Sequence, residues 1–152
     1  MQDFDDDELT FITLLSEIGA VEQIARSKLD SALPGNLNVS NFALLNHFSR
    51  GKDEKTPLQL AKAFNVTKGA MTNTLNKLEK LGYIHIRPDW EDARKKLVSI
   101  SQSGVDARDN AMQKIKPLLN KIISNSININ ERELLAELRK FREKVENSFA
   151  EN

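Results

Sequence analysis

Apolar positions along this chain follow two rhythms, a helical one over most of its length and a short alternating one near the middle. From Leu9 to about Leu33, residues Phe11, Leu15, Ile18, Val21, Ala25, Leu29 and Ala32 recur at spacings of three and four. That spacing predicts one long amphipathic helix, ended by Pro34, Gly35 and Asn36. The acidic leader before it, residues 2–8, reads as a frayed end or as the start of that helix, where carboxylates suit the positive dipole end. Ser40 is expected to cap a second helix over residues 41–49, which offers Phe42, Leu45 and Phe48 to a core and carries His47 beside that face. Residues 101–104 open a long helix expected to run to about Ser124, with Met112, Ile115, Leu119, Ile122 and Ile123 on its apolar side and Pro117 expected to kink it. Asn130 and Glu133 make a capping box for a last helix with Leu134, Leu138, Phe141, Val145 and Phe149 on one side.

The middle of the chain is more closely organised. Thr56, Pro57 and Gln59 read as an N-cap, a proline in the first turn and the third-position partner of a capping box. Leu58, Ala61 and Phe64 then form a short apolar face, and Asn65-Val66 a tight turn. Thr67 can cap the next helix, Gly82 suits its left-handed end, and Met71, Leu75 and Leu78 make its buried stripe. The opposite face carries Lys68, Thr72, Asn73, Asn76 and Lys77, with only Glu79 acidic. Such a face is short, hydrogen-bonding and cationic, as a helix lying along a phosphate-lined groove requires. Beyond Gly82, Ile84 and Ile86 alternate with polar residues from Tyr83 to Arg87, and a polar loop leads to a second strand from Lys95 to Ile100. Helix, turn, helix and hairpin together predict a winged helix-turn-helix. The fold class is therefore mainly α with a small β-hairpin wing. Residues 40–101 form the DNA-binding domain, flanked by dimerisation helices in residues 1–39 and 102–152.

Composition narrows the class. The chain has 152 residues, enough for one domain with helical extensions. No apolar run approaches the ~20 residues of a membrane span, and the acidic start does not look like a secretory signal. A soluble cytoplasmic protein without a membrane partner is the expectation. No cysteine is present, so disulfides and thiol chemistry are excluded. Net charge is zero but unevenly placed: residues 40–101 hold eleven basic against six acidic residues, and residues 1–39 two against eight. The positive excess coincides with the helix-turn-helix and hairpin, which favours a polyanionic partner. Residues 50–55 read as a charged loop. The terminal stripes are too extended for a small winged helix to cover alone, so a homodimer is expected.

These residues resemble the MarR family of bacterial transcriptional regulators. The resemblance runs from about Phe42 to Asp109, through Thr56-Pro-Leu-Gln-Leu-Ala-Lys-Ala63 and Val66-Thr-Lys-Gly-Ala-Met-Thr-Asn-Thr74. Its most specific part is the wing, Arg87-Pro-Asp followed by Asp92, Arg94, Lys95 and Lys96. It implies a homodimer with interlocked terminal helices, a recognition helix in each major groove and a wing arginine in an adjacent minor groove. Arg94 matches that arginine and Asp92 the aspartate that orients or braces it, while Thr67, Lys68, Thr72 and Asn73 match the exposed front of the recognition helix. The resemblance further implies a repressor released by a small, often aromatic and anionic effector, and His47 is the candidate effector contact. One departure is Trp90, where the family commonly has proline. A bulky wing-tip aromatic is expected to change the loop shape or to pack on the sugar–phosphate edge.

Lys68 and Asn73 are the candidates for base edges, since Lys favours guanine acceptors and Asn can pair bidentately with adenine. Phosphate contact alone is the competing reading for both. Thr67, Thr72, Lys77 and Lys80 are expected to position the protein through phosphates and Arg87, Lys95 and Lys96 to add backbone contacts, with Thr56 also in the DNA-binding set. Arg94 suits a narrow minor groove. In a symmetric dimer the two recognition helices would lie ~34 Å apart, so the expected target is double-stranded DNA with an inverted repeat. The alternative is a winged-helix module that binds an acidic protein without specific DNA recognition. An enzyme is the weakest reading: His47 and His85 are the only histidines, and neither metal-ligand spacing nor a glycine-rich phosphate loop is present, so no cofactor is expected.

Overall fold

The computed structural model describes residues 4–48, 54–125 and 128–150. They form α1 (Asp6–Ala32), α2 (Val39–Phe48), α3 (Pro57–Ala63), α4 (Lys68–Lys80), β1 (Ile84–Pro88), β2 (Lys96–Ile100), α5 (Gln102–Ser124) and α6 (Glu131–Ser148). The chain divides into two compact units, Met1–Leu118 and Leu119–Asn152. Among the described residues, no helix is long and apolar enough to cross a membrane. Helices with a two-stranded hairpin are the expected class.

The acidic leader starts α1. Asp5 accepts the Glu8 N–H at 2.8 Å and Glu8 accepts the Asp5 N–H at 2.9 Å, a complete capping box. The second helix is capped differently from the expectation. Asn38 Oδ1 takes the Asn41 N–H at 2.9 Å and Asp30 takes that of Val39 at 2.7 Å, so the helix begins at Val39 and Ser40 lies inside it. Its buried side is Asn41, Leu44, Leu45 and Phe48, whereas Phe42 is only partly covered.

The first unit is held by a core in which Leu44, Leu45, Leu60, Leu78, Ile84 and Val98 are almost fully buried. Each such side chain contributes roughly 1.5–3 kcal/mol by leaving water. Within α3, Leu60 and Ala61 face this core while Leu58 is 56% exposed, the reverse of the expected role for Leu58. In α4 the stripe Met71, Leu75 and Leu78 is buried as expected.

Both helices of the pair end in the same device. At the end of α3, Val66 N–H reaches Ala61 O and Asn65 N–H reaches Lys62 O. At the end of α4, Tyr83 N–H reaches Leu78 O and Gly82 N–H reaches Glu79 O. These are paired Schellman bonds, and each needs a left-handed residue after the cap. Asn65 supplies one at φ 51° and Gly82 the other at φ 72°.

The hairpin is antiparallel, with Ile84 opposite Ile100, Ile86 opposite Val98 and Pro88 opposite Lys96. On its other side, β2 bonds to Lys55 through Lys55 N–H to Val98 O and Val98 N–H to Lys55 O. The end of the expected charged loop is thus tied to the wing, while residues 50–53 lie outside the described residues. α5 opens on buried Ser101, whose hydroxyl donates to Gly82 O and accepts the Gly104 N–H. Gly104 is required there, because a Cβ would sit 2.0 Å from Tyr83 O. Along the part of α5 in this unit, Ala111 and Ile115 are buried while Met112 stays exposed, so the expected stripe is only partly covered there.

In the second unit, Asn130 Oδ1 caps α6 by accepting the Arg132 and Glu133 N–H groups. Leu134, Leu135 and Leu138 remain 38–49% exposed. On α1, Leu9, Ile12, Leu15, Val21 and Ile24 are also open to solvent.

Candidate nucleic-acid interface

The capped start of α3, one row of α4 and the wing enclose a groove of about 440 Å³. Thr56 accepts the Gln59 N–H and Gln59 accepts the Thr56 N–H, which fixes the entry to α3. On α4, Lys68, Thr72 and Asn76 follow one another at spacings of four, so they form a single row along the helix. Facing them from the wing are Ile86, Arg94, Lys95 and Lys96. Leu58, exposed rather than buried, lines the same groove.

Six of the sequence-predicted residues therefore meet: Thr56, Lys68, Thr72, Arg94, Lys95 and Lys96. Lys95 is partly offset by Asp92 at 3.6 Å, whereas Arg94 makes no ion pair with a described residue. Asp92 holds the loop backbone beside the arginine: Asp92 Oδ1 accepts the Arg94 N–H at 3.1 Å and Asp92 O that of Lys95 at 2.8 Å. Thr72 donates its hydroxyl proton to Lys68 O at 2.8 Å. In this rotamer it presents lone pairs and a methyl group outward, not a donor for phosphate.

The other predicted residues lie outside the groove lining. Thr67 is the N-cap of α4, its hydroxyl accepting the Ala70 N–H at 3.1 Å. Asn73 lies opposite the buried stripe and is exposed, as is Lys77 farther round the helix. Arg87 is engaged within the protein. Its Nε and Nη2 form a bidentate pair with Glu54, Nη1 donates to Pro88 O, and the guanidinium lies 5.6 Å from the centre of the Trp90 ring. His47 packs edge-on against Phe64, ring centres 5.3 Å apart, at the rim of the core. Asn76 joins the groove beyond the expected contacts, and its spacing from Lys68 and Thr72 is the signal that marks it.

Fold and basic groove together define a winged helix-turn-helix protein. Residues 36–95 match the model of the MarR family. An uncharacterized HTH-type transcriptional regulator of Bacillus cereus (strain ZK / E33L) is 30% identical over 83 residues, and so is one of Bacillus thuringiensis subsp. konkukian. Those matches cover 55% of this chain and 54% of the relatives, so the chain spans about half the length of the curated relatives it matches. Among solved structures, the transcriptional regulator BldR from Sulfolobus solfataricus aligns over 95% of this chain and 99% of its own, at 25% identity and TM-score 0.78. A cysteine-to-serine mutant of MarR from E. coli, complexed with operator DNA, aligns over 87% of this chain and 95% of its own, at 25% identity and TM-score 0.75. Residues 36–95 are a MarR-family winged helix-turn-helix.

Proposed function

We propose that the chain is a sequence-specific double-stranded DNA-binding regulator of transcription, a repressor acting in the cytoplasm as a homodimer on an inverted repeat. The observation that carries this reading is the convergence of Lys68, Arg94, Lys95 and Lys96 on one groove beside the exposed face of α4. Four cations around a helix face suit phosphates on either side of a major groove. Asn73, and Asn76 beside it, then meet base edges, and Arg94 enters the neighbouring minor groove. Thr67 acts here as a cap that brings the first N–H groups of α4 toward a phosphate. Residues 40–101 bind DNA, and α1 with α5 and α6 supplies the dimer surface. The exposed Ile12, Leu15, Leu134 and Leu138 support that division, since apolar stripes of this length need a cover. Release by a small aromatic or anionic effector, with His47 as one contact, completes the proposal.

Selection of bound duplexes from a randomised pool tests it. The expected outcome is an inverted repeat whose half-sites lie about one helical turn, ~34 Å, apart. A pool that stays random through successive rounds would remove sequence-specific recognition. Exposure of the selected complex to small aromatic carboxylates then tests release.

A further inference from the structure

Trp90 is the only tryptophan of the chain, and it stands 87% exposed in the wing loop. An indole of this size is rarely left open without a use, because a fully exposed ring forgoes the burial that makes tryptophan favourable in a fold. Its setting is built rather than loose. Asp89 N–H donates to Lys95 O, and Asp89 Oδ1 accepts the Glu91 N–H, so a backbone bond and an Asx turn hold the residues on both sides of the indole. Arg87 lies against the ring, 5.6 Å from its centre. That arginine is itself fixed by Glu54 through two parallel bonds and by Pro88 O. Glu54 neighbours Lys55, which is bonded to Val98 at the centre of β2. The indole is therefore linked through a cation and a carboxylate to the strand that carries the wing.

We infer that Trp90 is a second DNA-contacting residue of the wing, pressing its ring against the deoxyribose edges of the minor groove next to the Arg94 contact. Arg87, rather than contacting the DNA backbone, is the positioning residue that holds the indole. The inference rests on the DNA-binding reading and adds an apolar contact to a wing otherwise described by charge. Three features select this occupant. Arg94 and Lys95 in the same loop and Lys96 at the start of β2 follow Trp90 by four to six residues, so phosphates drawn to them would lie close to the wing tip. Sugar edges in a minor groove are apolar between phosphates, and minor-groove binders frequently set apolar side chains beside their cationic contacts. The backbone on both sides of the ring is bonded and a fixed guanidinium lies beside it, which lowers the freedom lost on contact.

Being the only indole, Trp90 reports its own contact. The full-length protein is titrated with a fluorescein-labelled duplex of mixed sequence at low salt, followed in parallel by label anisotropy and by tryptophan emission with acrylamide quenching. The proposal expects DNA to shift the emission and to shield the ring from acrylamide. It further expects Trp90→Ala to weaken binding by about tenfold, or roughly 1.4 kcal/mol, while leaving the slope of affinity against salt unchanged. Trp90→Phe retains most of the affinity, and Arg87→Met lowers both affinity and shielding. An indole that stays quenchable in the complex, with Trp90→Ala binding as wild type does, overturns the inference and leaves DNA binding standing. Absence of binding to any duplex overturns both. Circular dichroism of each variant separates loss of contact from loss of fold.

Discussion

Gly104→Ala tests the joint that places the wing on the helical body. An ideal Cβ at this position lies 2.0 Å from Tyr83 O and 2.9 Å from both Tyr83 C and Ile100 Cγ1. Ordinary carbon contacts begin near 3.5 Å, so the start of α5 and the start of β1 would have to separate by more than an ångström. The nearest atom is a backbone carbonyl that also accepts the Ser101 N–H at 3.0 Å, and it cannot swing aside as a flexible side chain would. Overfilling a packed site costs about 1–3 kcal/mol, and disturbing the Ser101–Gly104 cap adds about 0.5–2 kcal/mol. Alanine returns at most ~1 kcal/mol through its better helix propensity. The net expectation is a loss of about 2 kcal/mol, or a fall of roughly 4–8 °C in Tm for a chain of this size. Urea unfolding followed by far-UV circular dichroism, at one fixed protein concentration, measures it, with the midpoint falling and the slope m unchanged. A variant as stable as wild type, or more so, would show that propensity alone governs the position and that the close approach of α5 to Tyr83 is not a constraint.

Other expectations follow from single contacts. Arg94→Ala should weaken specific DNA binding by about 1–3 kcal/mol and lower the salt slope by about one, with an unchanged circular dichroism spectrum; equal affinity would take the arginine out of the interface. Asn65→Ala should cost about 1–2 kcal/mol because alanine resists the left-handed backbone at φ 51°, whereas Asn65→Gly should not, and equal urea midpoints for the two would refute that assignment. Glu54→Gln should change stability by less than about 1 kcal/mol, since the pair with Arg87 is about one-third exposed and screened. The larger effect should be on DNA affinity through Trp90, read by anisotropy. Ile12→Asp with Leu134→Asp should convert a dimer to a monomer in sedimentation velocity, and a wild type already monomeric would exclude the proposed dimer surface.

The helix α4 is legible in the sequence because cap, stripe and terminal glycine agree over thirteen residues. The seven residues of α3 offer fewer than two full turns of spacing. Periodicity alone there did not separate Leu58, which faces the groove, from Leu60, which faces the core. Asn38 and Ser40 are both good caps two residues apart, and Asp30, eight residues upstream of Asn38, anchors Val39 and so sets the start of α2. The pairing of Arg87 with Glu54 spans thirty-three residues and leaves no local pattern. Neither does the single bridge from Lys55 to Val98. Among the residues that line the groove, charge and helical spacing point to Lys68 and Thr72, and the family resemblance to Arg94. What no spacing conveyed was that one cation of the set, Arg87, is paired with Glu54 within the protein.

The most direct test of the central claim is fluorescence anisotropy of the purified protein on the duplex upstream of its own gene, against a scrambled duplex, at two salt concentrations. The account predicts tight binding to the first, weaker binding to the second, and a steep loss of affinity as salt rises, because phosphate neutralisation releases counterions. Equal affinity for the two duplexes with no dependence on salt would contradict it.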